Sequence, residues 1–200
     1  MMRGLAGSTT VLAVMLAVVG SPARAAPGSM DSITLPIEQA AYELDPNQFV
    51  WQDTNSGEAV SIVVSLSTQR AFVYRGSTMI AATTISSGKD AKGTPVGTYP
   101  ILQKNESHRS NLYNDAPMPF MQRLTWDGIA IHAGRNPGFP DSHGCIRVPT
   151  GFAKRLFGIT ALGTTVTVTD DFEGGALPRE PLVDAETARA NARQLTALAR

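Results

Sequence analysis

The only cysteine of this 200-residue chain, Cys145, lies in the run Ser142-His143-Gly144-Cys145-Ile146-Arg147. A second histidine, His132, stands thirteen residues upstream, at the end of the apolar run Ile129-Ala130-Ile131. A thiol beside an imidazole can serve as a nucleophile. The base takes the thiol proton during attack and returns it to a leaving amine. A free thiol with a pKa of about 8.5 is only a few per cent thiolate at neutral pH, and an ion pair with His132 would raise that fraction. The backbone N–H groups of His143, Gly144 and Cys145 are candidate donors to a developing oxyanion, and Gly144 admits backbone angles closed to other residues. His132 and His143 are both candidate bases. Two residues apart in an irregular turn often means side chains pointing different ways, which favours His132. Ser142 can hydrogen-bond a ring nitrogen and fix its orientation. Arg147 can grip a carboxylate, of substrate or of protein, with its two-pronged guanidinium. Two other readings fit the same residue types. The thiol and both imidazoles could ligate zinc with Asp141 or Asp127 as a fourth ligand, or Cys145 could be a small buried residue with no chemistry.

The elements around these residues read as short β runs. Ser61–Leu66, Ala71–Tyr74, Met79–Ser86 and Thr98–Gln103 are rich in β-branched and aromatic residues. Turn residues at 67–69 and 76–77 and a glycine- and lysine-bearing loop over 88–97 separate them. Lys104 to Trp126 is polar, contains prolines and reads as a long connection, a place where function often resides. Ile129–His132 is a strand that would aim His132 from a rigid end. Thr150 is a candidate cap for a helix over Gly151–Phe157, with Gly158 ending it, and Thr164–Thr169 closes the set. The whole pattern is mostly β, a sandwich-like mixed sheet with one or two short helices.

The first 25 residues resemble a cleaved signal peptide. Arg3 gives the positive start, Val11–Val19 the apolar core, and Ala23-Arg24-Ala25 the small-residue cleavage site. That core is about half the roughly 20 residues a spanning helix needs. The expected organisation is then a signal peptide over 1–25, an irregular lead-in over 26–57 with a short helix near Ile37–Leu44, a catalytic domain over 58–171, and a flexible or weakly helical tail over 172–200. Export to the periplasm or cell wall follows. An exported domain with one cysteine has no internal disulfide, so the thiol is either buried or kept for reactivity. The full chain carries 17 basic and 17 acidic residues; without Arg3 and Arg24 the basic count is 15. Nothing in that balance suits a polyanion, so nucleic acid is not an expected partner.

The run Ile131-His132-Ala133-Gly134, followed by Pro137 through Arg147 with Ser142-His143-Gly144-Cys145 inside it, resembles the signature of L,D-transpeptidases with the YkuD-type catalytic domain. The likeness extends to Val64–Leu66 with Gln69–Tyr74 and to Ser87-Gly88-Lys89 with Thr94-Pro95-Val96-Gly97-Thr98-Tyr99, so it spans residues of about 60 to 170. The interval from His132 to Ser142 is shorter than in the best-known members. The resemblance implies Cys145 as nucleophile and His132 as base, with the Ala133 carbonyl orienting the ring. It gives His143, Ser142 and Gly144 to the site and oxyanion hole, and Arg147 to the substrate or the loop. Met118, in the run over 104–126, is a further candidate lining for the substrate groove, and the roles of Tyr113 and Trp126 stay open. It implies no metal and no organic cofactor. The implied partners are peptidoglycan stem peptides, with an outer-membrane or wall-anchored protein as another acceptor. Nothing in the sequence calls for more than a monomer. Trimming by the same acyl-enzyme, as a carboxypeptidase or endopeptidase, and wall binding without turnover are the competing readings. A papain-like enzyme would place its cysteine before its histidine.

Overall fold

The computed structural model describes residues 36–177. The expected signal peptide, residues 26–35 of the lead-in and residues 178–200 of the tail lie outside the described residues. Two sheets and two α-helices make up the described part. The first sheet runs in the order β1 (Phe49–Trp51), β4 (Thr78–Thr84), β3 (Arg70–Arg75), β2 (Val60–Ser65), β10 (Thr165–Thr169) and β5 (Gly97–Pro100). The second runs β6 (Gln103–Arg109), β7 (Pro117–Arg123), β8 (Ala130–Ala133) and β9 (Ile146–Val148). The helices are α1 (Ile37–Tyr42) and α2 (Thr150–Ile159). No helix among the described residues is long and apolar enough to cross a membrane.

Strand periodicity explains why β2 and β3 carry the unbroken apolar runs Ile62–Val64 and Ala71–Tyr74. Alternate residues face opposite sides of a sheet. Ile62, Val64, Ala71 and Val73 face the main core, with Val166 and Val168 of β10, Phe152 and Leu156 of α2, and Ile131 and Ile146 of the second sheet. Val63, Phe72 and Tyr74 face the other way, against Ile37 and Ala41 of α1 and Phe172. A sheet covered on both faces needs such continuous apolar runs.

The same rule fixes the site. β8 and β9 pair in parallel, with Ile131 opposite Ile146, His132 opposite Arg147 and Ala133 opposite Val148. Ile131, Ala133, Ile146 and Val148 belong to the core. His132 and Arg147 therefore face away from it, and Cys145, two residues before Arg147, shares their side.

Four expectations are corrected. Lys104–Trp126 is not a connection: β6 and β7 form an antiparallel hairpin. β6 is an edge strand whose residues are mostly exposed, so it lacks the apolar alternation that marks a strand. Pro117 and Pro119 fit because only Gln122 and Arg123 of β7 pair with β8, leaving that stretch with one ladder to serve. Within the irregular lead-in, Phe49–Trp51 is a strand on β4, and its two aromatic rings meet Phe152 edge-on. The cysteine is followed by β9 before any helix. α2 then starts behind Pro149, with no side-chain cap, and passes through Gly158 to Ile159; burial of Phe152, Ala153 and Leu156 holds it. The tail begins docked, with Phe172 against Phe72 at 5.4 Å and the Tyr74 hydroxyl donating to the Gly175 carbonyl at 2.6 Å.

Candidate active site

His132 is 7% exposed, and its Nδ1–H donates to the Ala133 carbonyl at 2.8 Å. A carbonyl only accepts, so this bond sets the tautomer and leaves Nε2 as the basic nitrogen. Burial pushes the imidazole pKa down to about 4; the Ala133 bond opposes this and the nearby Arg147 cation adds to it. His132 is thus neutral at neutral pH, the state a base requires.

Cys145 lies half-buried beside Met118, Met121 and Ala130, with Sγ 3.4 Å from the Gly128 carbonyl. Burial pushes the thiol pKa up, against smaller opposing effects from the Ala130 N–H, Arg147 and Arg123. Both shifts have the same cause, loss of water around the charged form. They favour thiol and imidazole at rest over the ion pair expected from the sequence.

The turn into Cys145 is braced by Ser142. Its Oγ donates to the Cys145 carbonyl at 2.5 Å and accepts the Gly144 N–H at 3.1 Å. Ser142 therefore holds backbone, not an imidazole, and the Gly144 N–H is withdrawn from the set of oxyanion donors. The His143 and Cys145 N–H groups donate to no acceptor among the described residues. Gly144 adopts φ +118°, and a Cβ there would lie 2.7 Å from Ile129 Cδ1, so only glycine fits.

The loop over 86–94 packs behind this turn. Ser86 and Arg147 exchange two backbone hydrogen bonds at 3.0 Å, Lys89 N–H donates to the Ser142 carbonyl at 3.1 Å, and the Thr94 hydroxyl donates to the Gly144 carbonyl at 2.8 Å. Gly88 lies so close that a Cβ would sit 2.2 Å from the Lys92 carbonyl and 2.8 Å from Gly144 Cα. Sequence reasoning placed the Gly88–Thr94 block in the family pattern but gave it no role.

A cleft of about 660 Å³ opens over His132 and Cys145. Met118, Ala133 and Arg147 line it, as the sequence suggested, together with Tyr113 and Arg135. His143 is exposed at its rim and stacks on the Tyr113 ring, centroids 4.7 Å apart and planes at 15°. Arg147 stands 3.7 Å from Asp141, which also binds Lys89 at 3.2 Å and Arg135 at 2.8 Å. These cations, Lys89 first, hold the Asp141 carboxyl below the usual range. The sequence left the role of Tyr113 open and did not single out Arg135, although it lies three residues after His132. Trp126 is exposed under the Arg123 guanidinium and lines a separate hollow of about 160 Å³ with His108. Among the described residues no group of three His, Cys, Asp or Glu side chains is arranged to hold a metal; Asp127 bonds the Thr125 hydroxyl instead.

Comparison with known proteins bears on what this arrangement does. The sequence model of the L,D-transpeptidase catalytic domain, YkuD, matches residues 59–168. The fold is similar to an L,D-transpeptidase of Stackebrandtia nassauensis, 22% identical, TM-score 0.52, over 62% of this chain and 61% of that one. It is similar to a mutant L,D-transpeptidase of Enterococcus faecium, 28% identical, TM-score 0.50, over 56% and 50%. The Ldtfm–avibactam carbamoyl enzyme matches at 29% identity and TM-score 0.51, over 57% and 50%. The matched part is thus half to about six tenths of those chains. No curated protein matches.

Proposed function

Starting from the fact that this chain belongs to the L,D-transpeptidase catalytic domain family, we propose that it is a peptidoglycan L,D-transpeptidase with Cys145 as nucleophile. The observation that carries this is the strand register. It sets His132 and Arg147 side by side, with Cys145 on the same face lining the cleft, while the Ala133 bond leaves His132 Nε2 as the basic nitrogen.

The steps follow from that geometry. As Sγ attacks the L-centre carbonyl of the third residue of a tetrapeptide stem, neutral His132 takes the thiol proton through Nε2. The charge that develops on the carbonyl oxygen is met by the Cys145 and His143 N–H groups. Collapse of the tetrahedral intermediate breaks the bond to the terminal D-alanine, whose amine takes the proton back from His132 and leaves. The thioester is then attacked by an amine. His132 accepts that proton, and departure of the thiolate takes it back, restoring the thiol. The acceptor amine belongs to a neighbouring stem, giving a cross-link, or to an anchored protein; water in its place would make a carboxypeptidase. The similar Ldtfm structure is a carbamoyl enzyme, the kind of adduct an acylated nucleophile forms. The targeting pattern at the N-terminus supports action outside the cytoplasmic membrane, where this substrate lies.

Mass spectrometry of muropeptides after incubation with purified sacculi tests the proposal. Loss of D-alanine with cross-links between third residues is expected, and Cys145→Ala should give neither. Turnover that persists in Cys145→Ala would overturn it.

A further inference from the structure

We propose that Thr94 is a positioning residue that aims the Cys145 N–H at the developing oxyanion, an inference resting on the acyl-transfer reading above. Thr94 is buried, and its hydroxyl makes two bonds. It accepts the Gly88 N–H at 2.9 Å and donates to the Gly144 carbonyl at 2.8 Å. The Gly144 carbonyl and the Cys145 N–H belong to one peptide plane. In a trans peptide they point in opposite directions, and the described chain contains no cis bond. Cys145 lines the cleft, whereas Thr94, Gly88 and Gly144 do not. A carbonyl held back by Thr94 therefore turns the Cys145 N–H forward, toward the cleft.

The neighbouring peptide follows the same plan. The Ser142 carbonyl accepts the Lys89 N–H, so the His143 N–H of that plane also turns forward. Between them the Gly144 N–H turns inward to Ser142 Oγ. Alternate N–H groups thus face the cleft, and the loop over 88–94 sets both. The Lys89 anchor is backbone and survives any side-chain change, whereas the Thr94 anchor is a hydroxyl that one substitution removes. A Gly144 carbonyl without its donor is free to rotate with its plane, because glycine at φ +118° restrains it little.

Oxyanion donors matter to attack on a carbonyl and not to alkylation of the thiol by displacement. The test compares Thr94→Val, Thr94→Ser and wild type in two reactions of Cys145: acylation by imipenem, followed by intact mass, and alkylation by iodoacetamide. Removing one such donor outright costs about 100- to 1000-fold, and loosening one should cost about 10- to 100-fold. Thr94→Val should slow acylation by that factor with alkylation within about twofold of wild type, and Thr94→Ser should restore acylation. If Val beside the Gly88 N–H prevents folding, Thr94→Ala, which leaves room for water there, carries the same expectation. Equal acylation in wild type and Thr94→Val, or an equal loss in both reactions, overturns the role of Thr94 alone. Wild type that alkylates but never acylates overturns the acyl-transfer reading, and this role with it.

Discussion

Acid should destabilise this fold through His132, and the size of the effect can be worked out. The ring is 7% exposed with a pKa of about 4, against about 6.5 for an unfolded histidine. Between those values the unfolded chain binds a proton that the folded chain does not. Stability therefore falls as the pH drops through that window, by up to about 1.4 kcal/mol per pH unit, and is unaffected by this group well above pH 7. From pH 7 to pH 4.5 the loss assigned to His132 is about 2 kcal/mol. His108, lowered by burial and by Arg123, acts in the same direction, so the raw slope is not specific. Asp53 and Asp141, both held below the usual carboxylate range, lose their stabilisation mainly below about pH 4. The assay is urea unfolding of wild type and His132→Gln at both pH values. The variant should lose about 2 kcal/mol less than wild type across the interval. Equal losses in the two proteins would refute a buried, neutral His132 and with it the account of proton transfer during attack.

Two further outcomes follow from the same site. Iodoacetamide should alkylate Cys145 more slowly than an ordinary peptide thiol at pH 7. The rate should climb with pH without levelling between pH 5 and 8, because burial raises the thiol pKa; a plateau there would reveal a thiolate–imidazolium pair at rest. Gly88→Ala should displace the turn at Gly144, since its Cβ would meet the Lys92 carbonyl at 2.2 Å. A loss of imipenem acylation of at least about tenfold is expected with a lowered Tm; wild-type acylation would show that the loop over 86–94 does not support the site.

Where the sequence was legible, two things made it so: periodicity and the pattern around the cysteine. Ser61–Leu66 and Ala71–Tyr74 announced β2 and β3 because both faces of their sheet are buried. The run Ile129–His132 announced β8 because Ile131 enters the core while His132 turns out of it. β6 was opaque for the opposite reason. It is a mostly exposed edge strand whose only sheet partner among the described residues is β7, and its side chains report solvent rather than structure. β9 is three residues long, too short for any alternation to register, yet it is the strand that lines Arg147 up with His132. Ser142 was assigned the wrong partner because sequence shows a hydroxyl near two imidazoles and not the turn that folds it onto the Cys145 carbonyl. Tyr113 and Arg135 reach the cleft through tertiary structure, from a hairpin tip and from the loop after β8.

Whether Cys145 carries an acyl group from a stem peptide is tested most directly by intact-mass spectrometry of the protein rapidly quenched in acid with a disaccharide tetrapeptide. An adduct equal to the substrate less D-alanine is expected, localised to Cys145 by peptide mapping and discharged by an added amine. An unmodified protein that still releases D-alanine, or an adduct on any other residue, would contradict it.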